Sequence, residues 1–166
     1  VFLAVAAAAV FLFALGAALG GPLGLTAPTT VQDQTARVEL EKVVGRMSDL
    51  LQQPGAVVAP LNDQAGEPAG AVVLAPADSR VLGVVTRSLP ALPDDGRYVC
   101  VLIRCDERFE VGYMKFASDA TTEGDVAYWI APLSDEVPLD VGAPGDVFNV
   151  YVEGETGGQP LLTTTF

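Results

Sequence analysis

The chain has 166 residues, with 21 Asp and Glu against nine Lys and Arg, no His, a net charge of −12 and a pI of about 4.1. An acidic surface of this kind repels phosphate backbones, because affinity for nucleic acid comes from cationic side chains, and it disfavours adhesion of the folded part to anionic lipid headgroups. The absence of His removes the commonest general base, the His-dependent triads and every zinc site that needs imidazole.

Residues 1–19 carry no polar side chain, no charge precedes Asp33, and no Lys or Arg precedes Arg37. At 1.5 Å rise per residue, about 20 apolar residues cover the ~30 Å hydrocarbon core of a bilayer. The reading is a transmembrane helix over 1–25, in contact with membrane lipid. A cleaved signal peptide is the alternative, with Ala17 and Ala18 as the small residues at the cut. Its apolar stretch is about 7–15 residues, shorter than this run, which continues through Leu25 before the hydroxyl of Thr26. Pro22 marks the helix end. Gly16 and Gly20 form a G-x-x-x-G that lets two such helices pack closely. In a segment this rich in Ala and Gly, chance is the favoured source of the match, and a dimer stays open. The chain opens inside the apolar run without Met, so the expectation is a fragment of a longer protein. The flank after Leu19 has no Lys or Arg until Arg37, as expected of a translocated flank under the positive-inside rule. Residues 26–166 are therefore expected outside the cytoplasm, on a single-pass anchor in the cell membrane.

Residues 26–55 read as a loop followed by a juxtamembrane helix. Thr29 with Gln32 fits a capping box. Leu40, Val43, Val44, Met47, Leu50 and Leu51 fall on one helical stripe, and Pro54-Gly55 stops it. The stripe covers little more than two heptads, short of what argues a coiled-coil stalk. Packing against the protein's own domain is the favoured reading.

From Ala56 the hydrophobic period changes to two. Strands are expected over 56–61, 70–75, 80–87, 97–104, 110–116, 125–130, 146–153 and 160–164. The expected turns lie at Asn62-Asp63, Pro76-Ala77-Asp78, Pro93-Asp94-Asp95-Gly96, Asp106-Glu107, Ser118-Asp119 and 154–158. Short strands at this spacing with Gly, Asp and Pro turns argue an all-β domain. The fold expected is mainly β: an N-terminal transmembrane helix, a juxtamembrane amphipathic helix, and a single antiparallel β-sandwich-like domain over 56–166.

The sequence offers little chemistry. It contains no G-x-S-x-G, P-loop or G-x-G-x-x-G. The adjacent acids Asp94/Asp95, Asp106/Glu107 and Asp135/Glu136 point different ways on turns and do not make a catalytic dyad. Asp119, Glu123 and Asp125 lack the order of an EF-hand loop, so ordinary turn acids are favoured over calcium. No catalytic residue, cofactor or metal ligand is assigned, and the chain is not read as an enzyme. Cys100 and Cys105 are the only cysteines. Along a strand they would lie about 16 Å apart on opposite faces, too far for a disulfide, which needs Cα atoms within about 7 Å. Two free thiols rank first, with Cys100 buried and Cys105 at a hairpin end. A local bridge ranks second and an intermolecular one third. A module for glycan or peptide would need an exposed aromatic patch. Tyr113, Tyr128, Trp129 and Tyr151 are the candidates, and core positions are favoured for them.

One segment carries more. Ser88-Leu-Pro-Ala-Leu-Pro followed by Asp94-Asp-Gly-Arg-Tyr98 places Leu-Pro-x-Leu-Pro between two strands and Gly-x-Tyr at the opening of the second. It resembles the extracytoplasmic domain of the anti-sigma-K factor family (RskA-type). Met47 to Leu51 and then Pro54-Gly-Ala-Val-Val58 look like that family's post-membrane helix and first strand. Tyr98-Val-Cys-Val-Leu102 occupies the place of its Tyr-x-x-Trp-Leu strand. Gly112 with Tyr113, Met114, Lys115 and Phe116 looks like its return strand. Val150-Tyr-Val-Glu153, Gly157-Gly158 and Pro160-Leu-Leu162 are similar to its closing strands. The resemblance covers most of residues 45–164. Val101 stands where the family tends to have Trp, and Trp129 is expected to supply the aromatic bulk. Independently of the family, Leu89 and Leu92 are expected to cap the core, while Pro90 and Pro93 hold the connection extended.

The resemblance implies a bacterial transcription regulator: a membrane-anchored anti-sigma factor that holds its sigma factor inactive through a cytoplasmic domain upstream of Val1. The outer domain would govern when site proteases cut the anchor, with 20–30 as the cuttable stretch. The alternative is a membrane-anchored extracytoplasmic binding module for a glycan or peptide, unrelated to sigma factors.

Overall fold

The computed structural model describes residues 31–75, 79–87, 89–92, 96–117, 126–138 and 140–166. The transmembrane helix expected over 1–25, the capping residue Thr29 and the calcium candidates Asp119, Glu123 and Asp125 lie outside them. No helix among the described residues is long and apolar enough to cross a membrane.

One helix, α1 (Val31–Leu51), precedes nine strands: β1 (Val57–Asp63), β2 (Pro68–Leu74), β3 (Val81–Thr86), β4 (Tyr98–Arg104), β5 (Glu107–Tyr113), β6 (Lys115–Phe116), β7 (Ala127–Pro132), β8 (Val147–Val152) and β9 (Leu162–Thr165). The helix stops where expected. Pro54 cannot donate an amide hydrogen, and Gly55 takes φ 87°, a conformation open to glycine at little cost.

The strands form one antiparallel sheet in the order β5-β4-β8-β9-β1-β2-β3-β7-β6. This replaces the two packed sheets of the sandwich expectation. The end strands β5 and β6 are consecutive in the chain, separated only by Met114. Residues 107–116 thus pair with β4 through their first part and with β7 through their second. The sheet curls until a single stretch of chain serves both of its edges, giving a nearly closed barrel. The break at Met114, whose amide donates to the Tyr98 carbonyl at 2.9 Å, splits the strand expected over 110–116.

Strand alternation sorts side chains inward and outward. Leu61, Val72, Leu74, Leu82, Val84, Tyr98, Cys100, Leu102, Trp129, Phe148, Val150 and Leu162 fill one buried interior cluster. Trp129 supplies the aromatic bulk of that interior, where its ring lies against Gly112 on β5, and a Cβ at Gly112 would collide with the indole. Val101 belongs to the outer face with Val99 and Tyr151. Trp129 therefore fills a different side of the sheet from the one Val101 occupies.

The expected turns shift by one or two residues at two hairpins. Strand β1 runs on through Asn62 and Asp63, and the turn follows at 64–66. There the Asp63 Oδ1 accepts hydrogen bonds from the amides of Ala65 and Glu67 at 2.8 and 2.9 Å, a local alternative to the ladder that Asp favours. The β4–β5 turn falls on Cys105 and Asp106, both with positive φ, as a two-residue hairpin of primed type requires.

Two long connections cross opposite ends of the barrel. The one from β3 to β4 passes the end marked by Thr86, Tyr98 and Phe116. The one from β7 to β8 passes the end marked by Val81, Arg104 and Val147.

Candidate functional site

Of the residues that carry the family resemblance between β3 and β4, Leu89, Pro90, Leu92 and Tyr98 close the first end of the barrel, while Ser88, Pro93, Asp94 and Asp95 lie outside the described residues. Leu89 is 1% exposed and belongs to the interior cluster, against which Leu92 packs. The Tyr98 ring is buried beside them, 6.1 Å from the Phe116 ring centroid, and its hydroxyl donates to the Pro90 carbonyl. Burial pushes the Tyr98 hydroxyl pKa up to about 12. Leu-Pro at 89–90 and Tyr at 98 therefore form a plug, with the tyrosine holding the crossover down over the core.

The opposite end is fastened by charge. Arg104 at the end of β4 reaches Asp146 with two parallel hydrogen bonds, Nε to Oδ1 at 2.7 Å and Nη2 to Oδ2 at 2.6 Å. It also donates to the Asp140 carboxylate and backbone carbonyl. The side chains of Arg104 and Asp146 are 18% and 4% exposed. Asp146 also accepts the Gly142 amide at 2.9 Å. The Arg104 guanidinium holds the Asp146 carboxyl below the usual carboxylate range.

A cavity of about 210 Å³ lies beside this clamp, lined by Leu74, Arg80, Leu133, Pro138, Asp140 and Val141 among others. Its cation is already engaged. Arg80 donates through Nη2 to the carbonyls of Ser134 and Val137, and its Nη1 lies 3.6 Å from Asp135. The Arg80 Nε has no partner, but it is sealed from solvent. The cavity is smaller than the ~300–1,000 Å³ usual for ligand pockets.

The third feature is the helix face of the barrel. Val43, Met47 and Leu50 of the expected stripe are buried, with Leu40 and Leu51 at their margin. They cover Ala71, Val73, Ala75, Val85 and Val126 on the outside of β2, β3 and β7. Burying a Val, Leu or Met side chain contributes about 1.5–3 kcal/mol, so these three anchors carry the docking. Gly83 makes room for the middle one: a Cβ there would lie 2.6 Å from the Met47 Sδ. Near the upstream end of the interface the Tyr128 hydroxyl donates to the Glu39 carboxylate at 2.5 Å. That bond holds Glu39 below its ordinary pKa, while burial first and Glu39 second push Tyr128 up to about 12. Near the downstream end Ser79 Oγ donates to Gln53 Oε1 at 3.0 Å. The helix thus runs from the plugged end of the barrel, near Tyr128, towards the clamped end, near Ser79. α1 continues upstream of Glu39 for eight residues, about 12 Å at 1.5 Å per residue, and Val38 there is 49% exposed.

The remaining aromatic candidates separate. Trp129 is interior, Tyr128 serves the helix, and Tyr113 and Tyr151 share the outer face of β4 and β8 with Val99 and Val101. Tyr151 is itself buried and accepts a hydrogen bond from Asn149 at 2.8 Å, so its ring offers no stacking platform. Among the described residues no group of three or more Cys, Asp or Glu is placed to hold a metal ion.

Both cysteines are free, Cys100 at 0% exposure inside the barrel and Cys105 exposed on the hairpin. Burial raises the Cys100 thiol pKa far above its ordinary value, which leaves little thiolate for reaction. An alkylating reagent is expected to label one thiol per folded chain, at Cys105, and the second only after denaturation. Labelling of both in the folded protein would contradict the interior position of Cys100.

Comparison with protein-family profiles, with curated proteins and with solved structures finds no match for this chain.

Proposed function

We propose that this chain carries the extracytoplasmic regulatory domain of a membrane-anchored bacterial anti-sigma factor, and that the domain controls sigma-factor release by governing proteolysis of the anchor. The observation that carries the reading is the Leu89–Pro90–Tyr98 plug. Leu89, Pro90 and Tyr98, from the motif most specific to the family resemblance, close the barrel end near which Glu39 of α1 meets Tyr128.

The chemistry of such a domain is steric. Following α1 upstream from the barrel leads to the uncharged stretch before Asp33 and then to the apolar run of 1–19. A rigid barrel held there by a short helix limits how a protease can engage the connecting chain, because proteolysis requires an extended, accessible segment and folded structure must open to provide one. The acidic surface keeps the domain soluble and off anionic headgroups.

The test uses the full-length protein in bacterial membranes. It is expected to resist alkaline carbonate extraction, to lose residues 26–166 to external protease on spheroplasts, and to co-purify with a sigma factor. Deleting 31–166 is expected to raise transcription from that sigma factor's promoters. Release of a mature soluble domain, or a full-length protein that binds no sigma factor, overturns the reading.

A further inference from the structure

We propose that α1 is a releasable strap: residues 39–51 undock from the barrel as a unit about the turn at 52–56 while the barrel stays folded, and this undocking opens the anchor-proximal chain to protease. The protease half of the proposal rests on the function proposed above. The undocking does not.

Two separate cores make the motion available. The interior cluster of the barrel contains no residue of α1, whereas Val43, Met47 and Leu50 belong to a second cluster on its outside. Removing the strap leaves the interior and every strand ladder intact. The face it uncovers is built of Ala71, Val73, Ala75, Val85 and Val126, with Gly83 among them and Tyr128 and Ile130 at its margin. Opening exposes this outer face and the stripe of α1 but no part of the interior cluster. Cooperative units of this kind open below the global unfolding limit.

The joint lies directly after the strap. Gly55 has positive φ, and the backbone bonds within the segment are single-turn ones, Gln53 to the Leu50 carbonyl at 3.2 Å and Ala56 to the Gln53 carbonyl at 3.1 Å. The Ser79–Gln53 side-chain bond ties the joint itself to the barrel, so that the strap pivots there. Once released, the helix has little to sustain it. Gly45 sits in its interior with nothing within 4 Å of a Cβ placed there, and Val38, Val43 and Val44 are β-branched. Glycine and β-branched residues lower helix propensity. Most helical stability in proteins comes from tertiary packing of one face, and undocking removes the packing of Val43, Met47 and Leu50. The undocked strap consequently unravels into the extended chain that a protease requires.

Hydrogen exchange on the full-length protein in lipid nanodiscs tests the motion. Backbone amides of 39–51 are expected to exchange on the order of 100-fold faster than those of β2, β3 and β7, as a sub-global opening requires. Met47→Ala and, independently, Gly83→Ala are expected to speed the strap about tenfold further and leave the barrel unchanged. A strap that exchanges in step with the barrel in the wild type and in both variants overturns the proposal. Met47→Cys combined with Gly83→Cys, in a Cys105→Ser background, faces two thiols across the strap contact, and the lock is read on the molecules in which mass spectrometry finds them joined. The oxidised lock is expected to stop anchor cleavage and reduction to restore it. Cleavage indifferent to the lock overturns the protease half, and undocking remains established by exchange. A lock that stops cleavage with no sigma factor bound to the full-length protein instead overturns the anti-sigma reading and leaves the strap standing.

Discussion

Leu102→Ala is expected to destabilise the domain by about 2–5 kcal/mol, the range for truncating a fully buried leucine that leaves a cavity behind. Leu102 is at 0% exposure, and it pairs with Phe109 on β5 and Phe148 on β8. The substitution removes three carbons from the middle of the interior, where closely packed neighbours collapse only partly. The loss is a large share of the ~5–15 kcal/mol that holds a domain together. Chemical denaturation reads it as a lower midpoint with an unchanged slope. Under the proposed function the same change, in the full-length protein, raises anchor cleavage and sigma-dependent transcription. The exposed Glu107→Ala on β5 changes neither. A correctly inserted, destabilised Leu102→Ala protein cleaved at the normal rate would remove shielding as the mechanism.

The second large effect belongs to the clamp. Asp146→Ala leaves Arg104 largely buried with only the exposed Asp140 as a carboxylate partner, and breaking a buried pair from one side typically costs about 3–5 kcal/mol. Since Asp146 also takes the Gly142 amide, the loop between β7 and β8 should loosen with it. The pair imposes a pH dependence of definite sign. The folded-state pKa of Asp146 is depressed by its bonds to Arg104, so between that value and the unfolded value of about 3.9 the native state binds fewer protons than the unfolded chain. The contribution is present above the unfolded value and is lost as pH falls through the folded one. Denaturation midpoints measured from pH 7 downwards should fall more steeply for the wild type than for Asp146→Ala. Parallel acid limbs would mean that the pair contributes no such linkage.

Local patterns made much of this architecture legible. Of the stripe Leu40, Val43, Val44, Met47, Leu50 and Leu51, all but Val44 pack on the domain, and period-two alternation placed Tyr98, Cys100 and Leu102 on one inward face. The exposed Cys105 followed from the hairpin. What stayed hidden depends on partners distant in sequence. Nothing near β8 announces that it lies between β4 and β9, so alternating strands read equally well as two sheets or one. Arg104 and Asp146, 42 positions apart, carry no motif. Met114 breaks a strand that looks continuous because its amide turns to the Tyr98 carbonyl. The Gly83 socket was invisible for the same reason: glycine in a strand signals close approach, without saying of what.

The place of β9 has a consequence for how the molecule comes into being. The sheet order runs β8-β9-β1-β2, so the last strand to be synthesised stands between the first strand and the rest of the ladder. On the other side of β1, Asn62 and Asp63 pair with Thr163 and Leu162, a hundred residues later. Until β9 leaves the ribosome, β1 can pair only with β2, and Leu61 lacks neighbours that bury it. Pairings this remote make closure slow relative to local hairpins. A nascent chain that lacks β9 is therefore an open sheet with an exposed flank.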